Sequence, residues 1–289
     1  MTAAAAAAGS VAGPLGIFGG TFDPIHYGHL RTAFELVQLL QLPEMRFMPA
    51  GNPPHRERTV ANNELRLAMV QAATAGQPGF TVDDREIRKA APSYTVETLA
   101  ELRAEFPARP LILVVGMDAF LGLPKWYQWR ELLTLAHLVV AHRPGWRAPT
   151  MGPLGELLVD RGTGRAKDLH ESVAGRIYIH AVTQLEISST EVRSLIAAGR
   201  DPRFLMPDGV RRIILDTGCY ARKDGARGCH PPNRRRRRSG VRRARTRAHR
   251  RPGLQAARQA GRPAGRQRRL RRPRSARRAS RPRHPPGRR

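Results

Sequence analysis

Between Leu15 and Asp216, short apolar runs of strand type alternate with stretches of helical period, and a chain patterned this way has few ways to hide its hydrophobic surface. Leu15 to Phe18, Met45 to Met48, Leu111 to Val115 (LILVV), Leu138 to Ala141 and Ile177 to His180 read as strands, with Phe80 to Val82 and Glu86 to Ile87 as shorter extended pieces. Helical spacing runs from Leu30 through Phe34, Val37 and Leu40, then over Glu64 to Thr74 and Thr95 to Phe106. Two more helices are expected near Thr190 to Ala198 and Pro207 to Asp216, and the Gly/Pro-rich stretch from Arg143 to Gly155 reads as a loop. Strands that are apolar at successive positions need cover on both faces. The pattern therefore predicts an α/β fold with a doubly wound parallel sheet and right-handed crossovers. Ligands of such sheets bind beyond the carboxyl ends of the strands, which singles out the loops at Gly19 to His29, Pro49 to Arg56 and Gly116 to Asp118.

The charge is segregated. Residues 222 to 289 hold 28 of the 51 Lys and Arg residues and one of the 23 Asp and Glu residues, so the part before them is close to neutral. That tail has Val241, Leu254 and Leu270 as its only aliphatic residues larger than Ala, and no Phe, Tyr or Trp. It cannot bury enough apolar surface to offset its chain entropy, and disorder is expected. The organisation predicted is a flexible extension over 1–13, one catalytic domain over 14–220 and a basic tail over 221–289. Two cysteines, Cys219 and Cys229, with no C-x-x-C, argue against a disulfide framework or structural zinc and fit a reducing cytoplasm. The start lacks the basic segment of a secretory signal, and no apolar run approaches the roughly 20 residues that span a bilayer.

The first loop, GGTFDPIHYG, is neither a dinucleotide fingerprint nor a P-loop. Gly19 and Gly20 allow close approach of a ligand to the backbone. His26 and His29 lie three residues apart where a helix is about to begin, so both imidazoles can face an anion at that helix N-terminus. Three readings stand: a zinc pair short of its third ligand, two histidines satisfied within the fold, or two donors that hold a triphosphate.

GIFGGTFDPIHYGHL, residues 16 to 30, resembles the signature of the nucleotidylyltransferase superfamily, with its H-x-G-H element at His26 to His29. ISSTEVR, residues 187 to 193, resembles that superfamily's S-x-T-x-x-R element. Here Ser188 and Glu191 also make a capping-box pattern, and Ser189, Thr190 and Arg193 are candidates for a second polyphosphate cradle. A plain helix start is the bland alternative. MPAGNPPHR (48–56), DDREIRKAAPSYTVETL (83–99), VVGMDAF (114–120), WYQWREL (126–132), VVAHRPG (139–145) and FLMPDGVRRIILDTGCY (204–220) narrow the resemblance to the bacterial nicotinate-nucleotide adenylyltransferase family.

That resemblance implies a Rossmann-like fold of nucleotidylyltransferase type and transfer of the adenylyl group of ATP to nicotinate mononucleotide, giving deamido-NAD and pyrophosphate with Mg2+. It puts His26, His29 and Arg193 in catalytic roles and Gly19, Gly20, Thr21, Ser189 and Thr190 along ATP. The mononucleotide would stack its pyridine ring on Trp126, present its acid to amides near Thr95, Val96 and Tyr127, and meet Asp118 at the ribose and Arg56 at the phosphate. Read without the resemblance, Asp118 is equally a helix cap, Trp126 and Trp129 read as packing aromatics, and a solvated charge is the bland alternative to a phosphate partner for Arg56. The nucleophile is a phosphate monoester, already dianionic at neutral pH, so the lack of a Ser-His-Asp or Cys-His constellation is expected. Phosphopantetheine or nicotinamide mononucleotide is the rival acceptor, disfavoured by PPHR, by SYT at 93–95 and by the Trp126 and Trp129 pair.

Two features depart from the family pattern. An aromatic residue is missing near Arg212 to Ile213, and Cys219 replaces an aliphatic residue before Tyr220, both matters of packing. The tail is the larger departure: its Arg, Pro, Ala and Gly are residues of GC-rich codons, as out-of-frame or read-through translation would produce. The alternative is an arm binding nucleic acid through counterion release, without aromatic residues for stacking.

Overall fold

The structure is a computed structural model, and it describes residues 13–52, 59–89, 91–142, 147–183 and 185–222. In chain order the elements are β1 (Leu15–Gly20), α1 (Tyr27–Leu39), β2 (Glu44–Pro49), α2 (Asn63–Thr74), β3 (Phe80–Val82), α3 (Arg85–Arg88), α4 (Thr95–Glu105) and β4 (Leu111–Gly116). There follow α5 (Met117–Leu121), α6 (Leu132–Leu135), β5 (His137–His142), α7 (Gly152–Arg161), β6 (Gly162–Thr163), β7 (Ile177–Ala181), α8 (Ser189–Ala197) and α9 (Asp208–Thr217). The strands form one sheet in the order β3-β2-β1-β4-β5-β7-β6, and every pairing is parallel.

LILVV shows why the sheet is covered on both sides. Ile112 and Val114 pack into one apolar cluster with Leu36, Met69, Val192 and Ile214, while Leu111, Leu113 and Val115 pack into the other with Leu99, Leu102, Phe120 and Leu132. Each such side chain removed from water stabilises the fold by roughly 1.5–3 kcal/mol before chain entropy is counted. The chain winds outward from β1 through β2 to β3, then returns to β4 on β1's other side and continues to β5. The two windings part between β1 and β4, and a crevice opens there beyond the carboxyl ends of the strands.

Two sequence expectations are corrected. Glu86 to Ile87 is not extended but belongs to α3: Asp83 Oδ1 accepts the Arg85 N–H at 3.0 Å and the Arg88 N–H bonds the Asp84 carbonyl at 3.0 Å, so aspartate turn chemistry ends β3 and starts a helical turn. The loop expected over Arg143 to Gly155 gives way to α7 from Gly152, with Pro153 in the first turn, where a missing N–H costs nothing. Residues 143–146 of that stretch lie outside the described residues, as do the expected N-terminal extension up to residue 12 and the tail from residue 223. Among the described residues, no helix is long and apolar enough to cross a membrane.

Candidate active site

Two cavities occupy the crevice. The larger, about 630 Å³, is lined by Gly19, Gly20 and Thr21 after β1, Ala50 after β2, Tyr94 and Thr95 at the start of α4, and Asp118, Lys125, Trp126 and Tyr127 beyond β4. The smaller, about 250 Å³, is lined by His26, Gly28, Thr32, Ala141, Leu185 and Ile187. Phe18, His29, Val114, Val115 and Gly116 line both. His29 therefore stands where the two cavities meet.

The H-x-G-H turn explains itself locally. His26 is the N-terminal flank of α1 and His29 lies in its first turn, and their rings pack at a tilt of 32° with centroids 3.8 Å apart. His29 Nδ1 accepts the His26 backbone N–H at 3.3 Å, which makes Nε2 the ring's donor nitrogen. His26 is 5% exposed, and burial lowers its pKa to about 4 against the opposing pull of Glu191. It is uncharged at neutral pH, so His26 cannot act as a positive group there. Gly28 is demanded by space: a Cβ would stand 2.9 Å from His26 Nδ1 and 3.2 Å from the Ile187 carbonyl. Gly20 is likewise covered by the Phe22 ring, which would lie 2.9 Å from an added Cβ.

The second motif folds onto the first loop. Ser188 and Glu191 form the expected capping box, with Ser188 Oγ accepting the Glu191 N–H at 3.1 Å and Glu191 Oε2 accepting the Ser188 N–H at 3.1 Å. Ser189 Oγ donates to the Pro24 carbonyl at 3.0 Å, and Arg193 Nη1 donates to the Asp23 carbonyl at 2.8 Å. Arg193 Nη2 donates to Thr190 Oγ1 at 3.2 Å. Neither Arg193, Ser189 nor Thr190 lines the two cavities; Thr190 borders a separate surface groove with Glu191, Leu195 and Arg200. From the other side, the Asp23 carboxylate accepts the Val60 and Ala61 N–H groups at 2.9 and 3.1 Å and the Tyr220 hydroxyl at 2.6 Å. The loop after β1 is thus held by α8, by the approach to α2 and by the end of the last helical segment.

On the acceptor side, Thr95, Asp118, Trp126 and Tyr127 converge on the larger cavity. Val96 does not line it: its side chain is buried in the core, although its amide belongs to the first turn of α4, which has no side-chain cap. Asp118 is not the cap of α5, a place held by Gly116. Tyr94 and Tyr127 pack with centroids 4.8 Å apart, and Trp129 stacks beneath Arg130 instead of facing the cavity. Arg56 lies outside the described residues.

Several residues of the site escaped the sequence. Lys125 and Glu86 line the larger cavity, with Glu86 accepting from Thr98 Oγ1 at 2.8 Å and its pKa raised by burial. Arg66, 0% exposed, holds the loops after β1 and β2. A signal for Arg66 existed, since it shares a helix face with Met69 and Val70, a place where a solvated cation does not belong. Among the described residues, no group of three or more His, Cys, Asp or Glu side chains could hold a metal ion.

Residues 17–195 match the family described as cytidylyltransferase-like. A protein of Aeromonas hydrophila named probable nicotinate-nucleotide adenylyltransferase is 48% identical over 207 residues, which cover 72% of this chain and 97% of the relative. One of the same name from Cellvibrio japonicus is 49% identical over 207 residues, 71% of this chain and 98% of the relative. The solved Plasmodium falciparum nicotinic acid mononucleotide adenylyltransferase complexed with NaAD shares the fold, with a TM-score of 0.55 at 16% identity over 72% of this chain and 97% of that one. Sequence identity of this extent, over nearly the whole length of those relatives, shows that the chain belongs to the nicotinate-nucleotide adenylyltransferase family.

Proposed function

We infer that this chain transfers the adenylyl group of ATP to nicotinate mononucleotide, forming deamido-NAD and pyrophosphate for NAD synthesis. The observation that carries the reading is the meeting of two cavities at His29 and Gly116, which gives two substrates a common point of contact. In the reaction a phosphate oxygen of the mononucleotide attacks the α-phosphorus of ATP in line. The bond from that phosphorus to the bridging oxygen breaks, and pyrophosphate leaves with the electron pair. The dianionic nucleophile needs no base; alignment and charge stabilisation are the protein's part.

The His29 Nε2–H and the amides at the N-terminus of α1 suit the transferring phosphoryl oxygens. Gly19, Gly20 and Thr21 serve the ribose and reacting phosphates, and Ser189, Thr190 and Arg193 the far end of the triphosphate. His26 supports His29 as a neutral ring. Trp126 stacks the pyridine, the first-turn amides of α4 at Thr95 and Val96, with Tyr127, take the nicotinate carboxylate, Asp118 accepts from ribose hydroxyls, and Arg56 meets the phosphate. With no cluster of three or more His, Cys, Asp or Glu side chains among the described residues to hold a metal by itself, a magnesium ion would arrive on the triphosphate and would supply charge neutralisation at the phosphate oxygens. Residues 14–220 form the catalytic unit; the Arg-rich residues after it add at most a salt-sensitive contact with nucleic acid.

Pyrophosphate release measured with nicotinate and, separately, nicotinamide mononucleotide tests this, on the full chain and on one stopped after Tyr220. Preference for the acid in both is expected. No release with either acceptor from folded protein would overturn the reading. His29→Ala should keep the fold and lower turnover on the order of a hundredfold or more.

A further inference from the structure

Arg66 sits where a cation is least welcome. It is fully buried, and it lies in the first turn of α2, where the helix dipole repels positive charge. Among the described residues no carboxylate forms an ion pair with it. Its partners are oxygens of neutral groups: Nη1 donates to the Thr21 carbonyl at 2.7 Å, and Nη2 to the Ala50 carbonyl at 2.6 Å, the Gly51 carbonyl at 3.3 Å and Asn63 Oδ1 at 2.6 Å. Thr21 follows β1 and Ala50 follows β2, and both line the larger cavity. One planar fork therefore bonds two separate loops of the crevice through two different nitrogens.

We propose that Arg66 is a positioning residue for the transfer: it ties the loop after β1 to the loop after β2 and so sets the spacing at which the attacking phosphate meets ATP. The proposal rests on the functional reading above. A buried charge whose direct partners are all neutral, with Asp23, Glu64 and Glu86 attracting it only from beyond contact distance, is an expensive addition to two loops that the Ala50 N–H already ties to the Gly20 carbonyl at 2.8 Å. What the guanidinium adds is rigid geometry, because its donors are fixed in one plane. A lysine keeps the charge but presents its donors from a single atom, which cannot reach both loops as the fork does.

The test compares wild type, Arg66→Lys and Arg66→Met in the pyrophosphate-release assay, with near-ultraviolet circular dichroism and thermal melting to establish folding. Both variants, folded, should lose kcat on the order of a hundredfold, the cost of a misplacement of about 1 Å, with a smaller change in either KM. Wild-type kcat in folded Arg66→Lys would overturn the proposal, because charge without the fork would then suffice. Should either variant be too unstable, trimethylamine N-oxide restores folding without restoring the fork. Asn63→Leu, which keeps Arg66 and removes one acceptor aiming Nη2, is the milder probe. It should lose kcat about tenfold, and wild-type turnover in it would equally refute the tie. An inactive wild type would instead overturn the functional reading, a result the variants cannot imitate.

Discussion

Replacing Tyr220 by Phe removes one oxygen from a buried contact and tests whether the end of the domain holds the loop after β1. The hydroxyl donates to Asp23 Oδ1 at 2.6 Å, and Tyr220 and Asp23 are 5% and 6% exposed. A hydrogen bond to a buried carboxylate contributes roughly 1.5–3 kcal/mol. Asp23 keeps the Val60 and Ala61 amides, so it is not left without partners, and about 2 kcal/mol is the expected loss. For a domain of this size that lowers the melting temperature by about 4–8 °C. The pH dependence is a second readout. Burial first, and then Asp23, raise the Tyr220 pKa far above its ordinary value of 10.0. The unfolded chain titrates near that value and the folded one does not. This contribution is therefore complete below pH 10 and falls as the pH rises beyond it. Tyr220→Phe should lack that alkaline loss. Melts by circular dichroism across neutral and alkaline pH decide the matter. A variant that melts within about 1 °C of wild type at neutral pH, with an unchanged alkaline slope, would refute the clamp.

Three further outcomes are expected. His26, with its pKa lowered to about 4, is neutral in the fold, so stability is full above the ordinary histidine value of 6.5 and falls as pH drops from there toward 4. Urea titrations at neutral and acid pH should show this loss, on the order of 3 kcal/mol at full extent, shrinking in His26→Asn. Gly28→Ala places a methyl against His26 and the Ile187 carbonyl and should cost about 1–3 kcal/mol of stability while raising the KM for ATP, as calorimetry and kinetics would register. Trp126→Ala removes the stacking face from the larger cavity and should raise the KM for nicotinate mononucleotide about tenfold with little change in melting temperature; an unchanged KM would place the pyridine elsewhere.

Local rules read well where one element suffices to make a signal. The apolar runs at LILVV and its neighbours require burial on both faces, and the structure puts them in a parallel sheet. The Ser188 and Glu191 box lies within four consecutive residues, and it forms as read. Local reading failed where two rules compete. Pro153 breaks a helix interior but favours a first turn, and the pair at Asp83 and Asp84 overrode a strand-like Glu86 to Ile87.

By itself, then, the sequence determined the parallel sheet, the loops beyond the carboxyl ends of its strands, and the two signature segments with His26, His29 and Arg193, because periodicity and short-range spacing are properties of a single segment. Only the tertiary structure decided what those residues touch. It packed His26 against His29 and left it uncharged, turned Arg193 and Ser189 onto the carbonyls of Asp23 and Pro24, and brought Tyr220 to Asp23 and Arg66 to Thr21 and Ala50. These contacts join residues far apart in the chain, and their worth comes from burial, which raises the strength of each polar contact and exists only once the layers have packed.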